Sequence, residues 1–253
     1  MIKWEARDLV GVATIDRQER RNALNADLCH DLRARLESAG DVRVVLITGA
    51  GTAFCSGADL VTRFEGDDRS AEDTLRPAFE LLMDAIDAFP GPVIAAVNGP
   101  AIGAGMQMAV ACDFRVVAPT AAFSIPAARL GIVLSPANIQ RLALLVGPAM
   151  ARDLLMTARA LDADEAEAAG LVNRRADEAL AEALAWADEI AALAPLTVAS
   201  HKQALVLLAR AQGYDDEARA QIRDLEEAAL RSRDLQEGLA AFGEKRVPRF
   251  EGR

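Results

Sequence analysis

Long apolar runs and clusters of cysteine or histidine are absent from this sequence. No apolar stretch reaches the roughly 18 residues that a membrane-spanning helix needs, and the first residues, MIKWEARD, lack the apolar core of a secretion signal. The 3 cysteines (Cys29, Cys55 and Cys112) are widely spaced and the histidines number only 2, which argues against a dedicated transition-metal site. Separated cysteines in odd number are typical of reduced thiols. We therefore expect a cytoplasmic protein with no metal and no membrane span.

Positive charge is also in short supply. The formal net charge of −10 argues against a general nucleic-acid surface, so any anionic ligand must be met by a local basic patch. Arg20 and Arg21 form the first such patch, in the polar loop QERRNALN. They fit either a solvated turn or a phosphate contact. With 253 residues, the chain can form one large α/β domain or such a domain with a helical appendage.

The most informative stretch that is present covers residues 96–111, AVNGPAIGAGMQMAVA. It predicts the end of a buried strand, a turn at residues 98–100, and then a helix whose first turn holds Gly103, Ala104 and Gly105. The first N–H groups of a helix have no internal partner and lie at the positive end of its dipole. A first turn without bulky side chains can therefore receive an oxygen that becomes negative, which is half of an oxyanion hole. Tight packing on a sheet would explain the same small residues.

A second turn of this kind follows the predicted strand at residues 42–48. Its sequence, GAGTAFCSGADL at residues 49–60, begins like a dinucleotide fingerprint but has Phe54 where the third glycine belongs. Ser56, Gly57 and Ala58 instead expose backbone, and Asp59 can cap the next turn. Two such turns can bracket one carbonyl oxygen.

The rest of the chain predicts further strands and helices. The charged segment 64–77 reads as a loop, as does PAARLGIVLSPAN at 126–138, and His201 and Lys202 read as surface residues. The basic tail places Lys245 where it can reach an anion. Strands are predicted at 10–16, 112–118 and 122–125; helices are predicted at 25–40, 75–89, from 139 onward, as a pair within 147–170, at 179–193, at 196–211 and in an amphipathic stretch ending near 242.

Together these segments resemble the enoyl-CoA hydratase/isomerase family, the crotonase superfamily. The resemblance implies an α/β spiral of β-β-α units over residues 1–195 and a C-terminal helical region, 196–253, that forms homotrimers or hexamers. It implies an acyl-CoA thioester as ligand, with coenzyme A as part of that ligand and no covalent cofactor. The matching segments, in family order, are RRNAL (20–24), GTAFCSGADL (51–60), AVNGPAIGAG (96–105), CDFRVVA (112–118), LSPANIQRL (134–142) and EKRVPRF near the end.

Carried over by position, the resemblance places the two oxyanion-hole amides on Ala58 and Ala104. Hydratases of this family ionise a water with two glutamates, whose positions are occupied here by Gln107 and Ala127. Neither side chain exchanges a proton near neutral pH, and such assistance is worth roughly 10² to 10⁴ in rate per group. The resemblance thus implies that the two amides that bind the thioester oxygen are present, whereas the two glutamates that transfer protons are not.

The resemblance also implies contacts to the coenzyme A part of the ligand. Backbone at Ala23 and at Ala58 to Leu60, including Asp59, is expected to border the adenine and pantetheine. The basic side chains of Arg20, Arg21 and Lys245 are expected to meet phosphates.

Two functions remain open at this point. The first is a protein that binds or delivers acyl-CoA, with a protein partner in lipid synthesis left open. The second is an enzyme, either a hydratase using a carboxylate of the charged loop (Glu65, Asp67 or Asp68) or a catalyst that relies on the oxyanion hole. Some relatives carry an acid at the position of Ser135, where this chain has a hydroxyl.

Overall fold

The structure is a computed structural model that describes residues 1–60, 70–211, 224, 227–228 and 230–250. Within these residues it has two β-sheets and a series of helices. The strands are β1 (Ile2–Arg7), β2 (Val10–Ile15), β3 (Val44–Gly49), β4 (Val93–Val97), β5 (Ala101–Ile102), β6 (Phe114–Val117), β7 (Ala122–Ser124), β8 (Ala160–Asp162) and β9 (Arg174–Arg175). The helices are α1 (Ala26–Glu37), α2 (Ser70–Ala88), α3 (Ala104–Ala111), α4 (Pro136–Thr157), α5 (Ala163–Ala168), α6 (Ala179–Ala191), α7 (Pro195–Ala211) and α8 (Arg233–Gly243).

The larger sheet has six strands in the order β1-β2-β3-β4-β6-β9, antiparallel between β1 and β2 and parallel elsewhere. Side chains of β3 alternate between two apolar layers, as the period of a strand requires. Val45 and Ile47 belong to the main core beneath α1 and α2, whereas Val44 and Leu46 pack with α6. The α6 side of the sheet is closed by alanines spaced four apart, which let the helix lie close to the strands: Ala179, Ala183, Ala187 and Ala191.

The smaller sheet, β5-β7-β8, leads the chain into α3. β5 pairs in parallel with β7, and β7 pairs antiparallel with β8. Because β5 is only two residues long, the chain leaves this sheet at Ile102 and turns at Gly103 into the helix. The predicted helix with a first turn of small residues is confirmed, and it begins at Ala104.

Several predicted boundaries shift. Residues 70–74, predicted as loop, belong to α2, and residues 61–69 lie outside the described part of the chain. The helix pair predicted within 147–170 is present as the second part of α4 and as α5, with the short strand β8 in place of the predicted turn. α4 is bent at Gly147, where φ is 75° and ψ is 160°.

Lys202 is not a surface residue, in contrast to the prediction, although its neighbour His201 is exposed. Its Nζ lies 2.8 Å from Asp113 Oδ2 and donates to the carbonyl oxygens of Ile86 at 2.8 Å and Gly91 at 3.0 Å. The long side chain reaches from α7 to the end of α2 and the start of β4. Sequence pattern alone does not reveal such a buried ion pair, because lysine also serves exposed positions.

No single helix in the described ranges has the length and apolarity to cross a membrane. Taken together, α6 and residues up to 209 of α7 meet the criteria of length and composition, but the two helices bend by 110° at their junction. The predicted boundary between residues 195 and 196 falls at the first turn of α7.

Candidate functional site

The two turns that the sequence singles out lie against each other. The Cys55 amide donates to Pro100 O at 3.1 Å, and the Ile102 amide donates to Cys55 O at 2.9 Å. These bonds bring Gly57 to the start of α3, since a β-carbon built on Gly57 would lie 3.7 Å from the amide nitrogen of Ala104. The second loop therefore ends beside the first turn of the helix.

Hydrogen bonds on either side of Ala58 fix the direction of its amide. The Leu24 amide donates to Gly57 O at 2.7 Å, and the Asp59 amide donates to Leu24 O at 2.8 Å. Leu24 and Ala58 form a parallel bridge in which the partners of Leu24 are the groups flanking Ala58. The Ala58 N–H consequently points away from Leu24, and it donates to no residue that the structure describes.

Ala104 is the first residue of α3, whose cap is Gly103 with φ 56° and ψ −116°. The Gly103 amide is already used, because it donates to Ser124 O at 2.8 Å, and Gly103 O accepts from the Gln107 amide at 3.0 Å. The Ala104 N–H forms no hydrogen bond within the described ranges. A left-handed φ at residue 103 suits glycine, which has no β-carbon to clash there.

Gln107 and Ala127, which are predicted to occupy the positions of the two catalytic glutamates, differ in setting. Gln107 is partly buried on α3, one turn after Ala104 and therefore on the same side of the helix. Ala127 is buried in a 3-10 turn, Pro126–Arg129, and its carbonyl oxygen accepts from the Leu130 and Ile132 amides, both at 3.0 Å. An amide and a methyl group at these positions offer hydrogen bonding and apolar contact but no acid or base.

The loop that carries Arg20 and Arg21 lies directly on the loop that carries Ala58. Asn22 is fully buried and donates to the carbonyl oxygens of Ala50 at 2.9 Å and Ala53 at 2.7 Å. Ser56 extends the contact, since its amide donates to Arg21 O and its hydroxyl donates to Arg20 O, both at 3.0 Å. The structure thus brings the predicted phosphate contacts beside the predicted oxyanion turn.

The remaining predicted ligand contacts differ in exposure. Arg21 is exposed, Arg20 and Leu60 are partly buried, and Ala23 is buried. Lys245 is exposed on the turn after α8. The structure shows no contact between Lys245 and Arg20, Arg21, Ala23 or Leu60, so the phosphate contact of Lys245 stays a prediction.

The Asp59 side chain is buried in an ion pair, and the turn that it is predicted to cap lies outside the described residues. The Asp59 carboxylate lies 2.6 Å from the guanidinium of Arg17, and its side chain is only 2 % exposed. Arg17 in turn donates to Ala23 O at 3.2 Å. Sequence pattern does not identify Arg17 and Asn22 as residues of the site, because both act across loops that are far apart along the chain.

The site region holds no activated thiol. Burial raises the pKa of Cys55 to about 12, and the Gly57 amide, which donates towards its sulfur, counteracts this only in part. The Ser135 hydroxyl is buried and has no hydrogen-bond partner among the described residues, and Asn138 binds Glu80 at 3.0 Å. The carboxylates of Glu65, Asp67 and Asp68 lie outside the described residues.

Comparison with known proteins yields matches over the whole chain. The family enoyl-CoA hydratase/isomerase matches residues 5–253. A protein named probable enoyl-CoA hydratase echA6 from Mycobacterium tuberculosis is 44 % identical over 254 residues, covering 100 % of both chains.

Two solved structures superpose closely. A methylmalonyl-CoA decarboxylase in complex with 2-nitronate-propionyl-CoA has a TM-score of 0.89 at 27 % identity, covering 100 % of this chain and 98 % of that one. An enoyl-CoA hydratase from Mycobacterium avium subsp. paratuberculosis has a TM-score of 0.85 at 28 % identity, covering 99 % and 98 %. These matches confirm the predicted α/β spiral fold.

Proposed function

This chain belongs to the enoyl-CoA hydratase/isomerase family, and from that premise we propose that it binds an acyl-CoA thioester while being a poor hydratase. The thioester oxygen lies between the amides of Ala58 and Ala104. The observation that carries this proposal is the approach of Gly57 to the start of α3, where a β-carbon would come within 3.7 Å of the Ala104 nitrogen. Backbone donors held in this way need no reorganisation to meet a developing negative charge.

The expected weakness as a hydratase follows from Gln107 and Ala127. Adding water across a double bond requires one group to take a proton from water and another to deliver one to carbon. Gln107 can hold a water or the thioester by hydrogen bonds but cannot take its proton, and Ala127 has no polar atom in its side chain. The binding interactions remain while the proton transfers lose their usual carriers.

Coenzyme A is proposed to lie along the paired loops. Backbone at Ala23 and from Ala58 to Leu60 borders the adenine and pantetheine, with the Asp59 carboxylate turned inward to Arg17. Arg20, Arg21 and Lys245 meet the phosphates. In a chain of net charge −10, these local cations provide the attraction that an anionic ligand needs.

Calorimetric binding and turnover, measured on the same preparation, test the proposal. Micromolar binding of a saturated acyl-CoA, together with crotonyl-CoA hydration near the uncatalysed rate by absorbance, is the expected result. Rapid hydration of crotonyl-CoA contradicts the poor-hydratase part. Failure to bind any acyl-CoA contradicts the whole proposal.

A second candidate is decarboxylation of a 2-carboxyacyl-CoA, favoured by the TM-score of 0.89 with methylmalonyl-CoA decarboxylase. In this reaction the bond between Cα and the carboxylate carbon breaks and CO₂ leaves. The electron pair of that bond stays on the substrate as an enolate, which then takes a proton from water. No base has to remove a proton from the substrate, so the change to Gln107 and Ala127 is no obstacle. Release of CO₂ from malonyl-CoA or methylmalonyl-CoA would favour decarboxylation. Hydration of crotonyl-CoA that depends on Glu65, Asp67 or Asp68 would instead favour a hydratase.

We further propose that residues 196–253 form an oligomerisation region that gives a homotrimer or hexamer. Supporting this, α7 and α8 carry large apolar side chains that remain 54 to 83 % exposed in the single chain: Leu196, Leu205, Leu207, Leu208 and Phe242. Exposed apolar groups in such number are typical of surfaces that bind another protein. Sedimentation equilibrium of the full chain should give three or six subunits, and a monomer would contradict the proposal.

A further inference from the structure

A buried ion pair lies directly beside the turn of Ala58. The Arg17 guanidinium is 2.6 Å from the Asp59 carboxylate, and the two side chains are 18 % and 2 % exposed. Asp59 follows Ala58 immediately in the chain. The pair therefore acts on the segment that holds one of the two proposed oxyanion amides.

Arg17 contacts both strands of the bridge that contains Ala58. One guanidinium nitrogen donates to Ala23 O at 3.2 Å, and another pairs with Asp59. Ala23 and Asp59 flank the bridged residues Leu24 and Ala58. Arg17 thus links the two loops at the point where the direction of the Ala58 N–H is set.

The base of Arg17 is fixed as well. Its own amide donates to the side-chain oxygen of the buried Asn22 at 3.0 Å. Asn22 in turn donates to Ala53 O at 2.7 Å in the opposite loop. The Arg17 residue is consequently held at both ends, by its backbone amide at Asn22 and by its guanidinium at Ala23 O and Asp59, and the planar guanidinium loses little freedom in these contacts.

The charge of Arg17 also matters for an oxygen that becomes negative. An uncompensated Asp59 carboxylate next to Ala58 would repel that oxygen in a partly water-excluded site. The ion pair removes this repulsion while keeping the carboxylate as a fixed anchor. The contacts of Arg17 and its charge thus both favour binding of the thioester oxygen at the Ala58 amide.

We propose that Arg17, through Asp59, is a positioning residue that aims the Ala58 amide at the thioester oxygen. The inference rests on the proposed function and adds to it a residue that touches neither ligand nor reacting atoms. A positioning role differs from a general role in stability, because loss of Arg17 should weaken the hydrogen bond to the thioester carbonyl in particular.

The test uses a saturated acyl-CoA labelled with ¹³C at the thioester carbonyl and the matching S-alkyl thioether, which lacks that carbonyl. The double variant Arg17→Met with Asp59→Asn removes both charges of the pair together, so the net charge at this position is unchanged, and Arg17→Lys keeps the positive charge without the planar guanidinium. Arg33→Met is the matched control, since Arg33 pairs with the exposed Glu37 on α1. The infrared carbonyl band of the bound thioester and the ratio of thioester to thioether affinity are measured for each.

In the wild-type protein the carbonyl band should lie below that of the free thioester, because hydrogen bonding weakens the C=O bond. The double variant should move the band towards the free position and reduce the affinity ratio by about three- to tenfold, the range of one hydrogen bond. Arg17→Lys should lie between the two, and Arg33→Met should match the wild type.

A double variant that folds and shows the wild-type band and affinity ratio would overturn the inference and leave the proposed function standing. A wild-type band at the free position, with no preference for thioester over thioether, would instead overturn the proposed function and the inference with it.

Discussion

Gly57 faces the amide nitrogen of Ala104 without a side chain between them, and a β-carbon at this position would lie 3.7 Å from that nitrogen and 3.0 Å from Ile102 O. The glycine thus keeps open the space next to both proposed oxyanion amides. Its φ of +105° is a second reason for glycine, because side chains rarely adopt that conformation.

Gly57→Ala should weaken acyl-CoA binding by at least about tenfold and lower stability by about 1 to 3 kcal/mol. The added methyl group fills the space that the thioester oxygen needs, and the backbone is strained. Calorimetry and thermal unfolding measure the two effects. The control is Gly40→Ala, because Gly40 has φ +62° with no atom within 4 Å of a β-carbon. This control should lose stability and keep its affinity; equal affinity in both variants would remove residue 57 from the site.

Placing carboxylates at both positions proposed for the proton-transfer pair should create hydratase activity. Gln107→Glu with Ala127→Glu should raise crotonyl-CoA hydration by about 10² to 10⁴, since acid and base groups contribute on that order. Burial at position 127 favours the neutral form of the new carboxyl, which suits a proton donor. The control pairs Gln107→Glu with Ala128→Glu, at the exposed next position of the same turn. No gain over this control would mean that the acyl chain lies elsewhere.

The features that the sequence predicts well are local. The helix predicted at 25–40 is present as α1, and Asn25 caps it, with its side chain accepting from the Leu28 amide at 3.0 Å. Asparagine is a preferred cap, and a cap and its helix are adjacent in the chain. The same holds for the small residues at the start of α3. Arg17 with Asp59 and Lys202 with Asp113 could not be foreseen, since each pair joins segments that only the fold brings together.

Removing the charges at Arg20 and Arg21 should weaken coenzyme A binding and flatten its dependence on salt. Charge-assisted bonds to phosphate are among the stronger polar contacts, so a loss of at least about tenfold is expected for the double alanine variant. The affinity for coenzyme A is measured at low and high salt. Arg152→Ala, an exposed charge on α4, is the control. Identical affinities in the double alanine variant and in Arg152→Ala would mean that Arg20 and Arg21 do not contact the phosphates.

Lys202→Met should lower stability by about 3 to 5 kcal/mol, the typical cost of breaking a buried ion pair from one side. The substitution leaves Asp113 with its bond from the Val93 amide at 2.7 Å but without its cation. Thermal unfolding of the full chain measures the effect. His201→Ala, at the exposed neighbouring position, should change little. Equal melting temperatures for the two variants would contradict the proposed importance of this contact.

The three thiols should be inert in the folded protein. Burial raises the pKa of Cys29, Cys55 and Cys112 to about 12, and only the thiolate reacts readily with disulfide reagents. A disulfide reagent at neutral pH should therefore modify no thiol in the native chain and all 3 after denaturation. Rapid modification of a native thiol would show that its surroundings open to solvent.

The same pKa shifts predict how stability depends on alkaline pH. Because folding favours the neutral thiols, their contribution is fully present below the ordinary thiol pKa of 9.0 and decreases as the pH rises from there towards about 12. The free energy of unfolding in urea should thus decrease more steeply above pH 9 for the wild type than for the variant with alanine at all three positions. The two proteins differ at no other position, so the difference between the two curves reports on the thiols. Parallel curves would mean that the thiols ionise as readily in the folded chain as in the unfolded one.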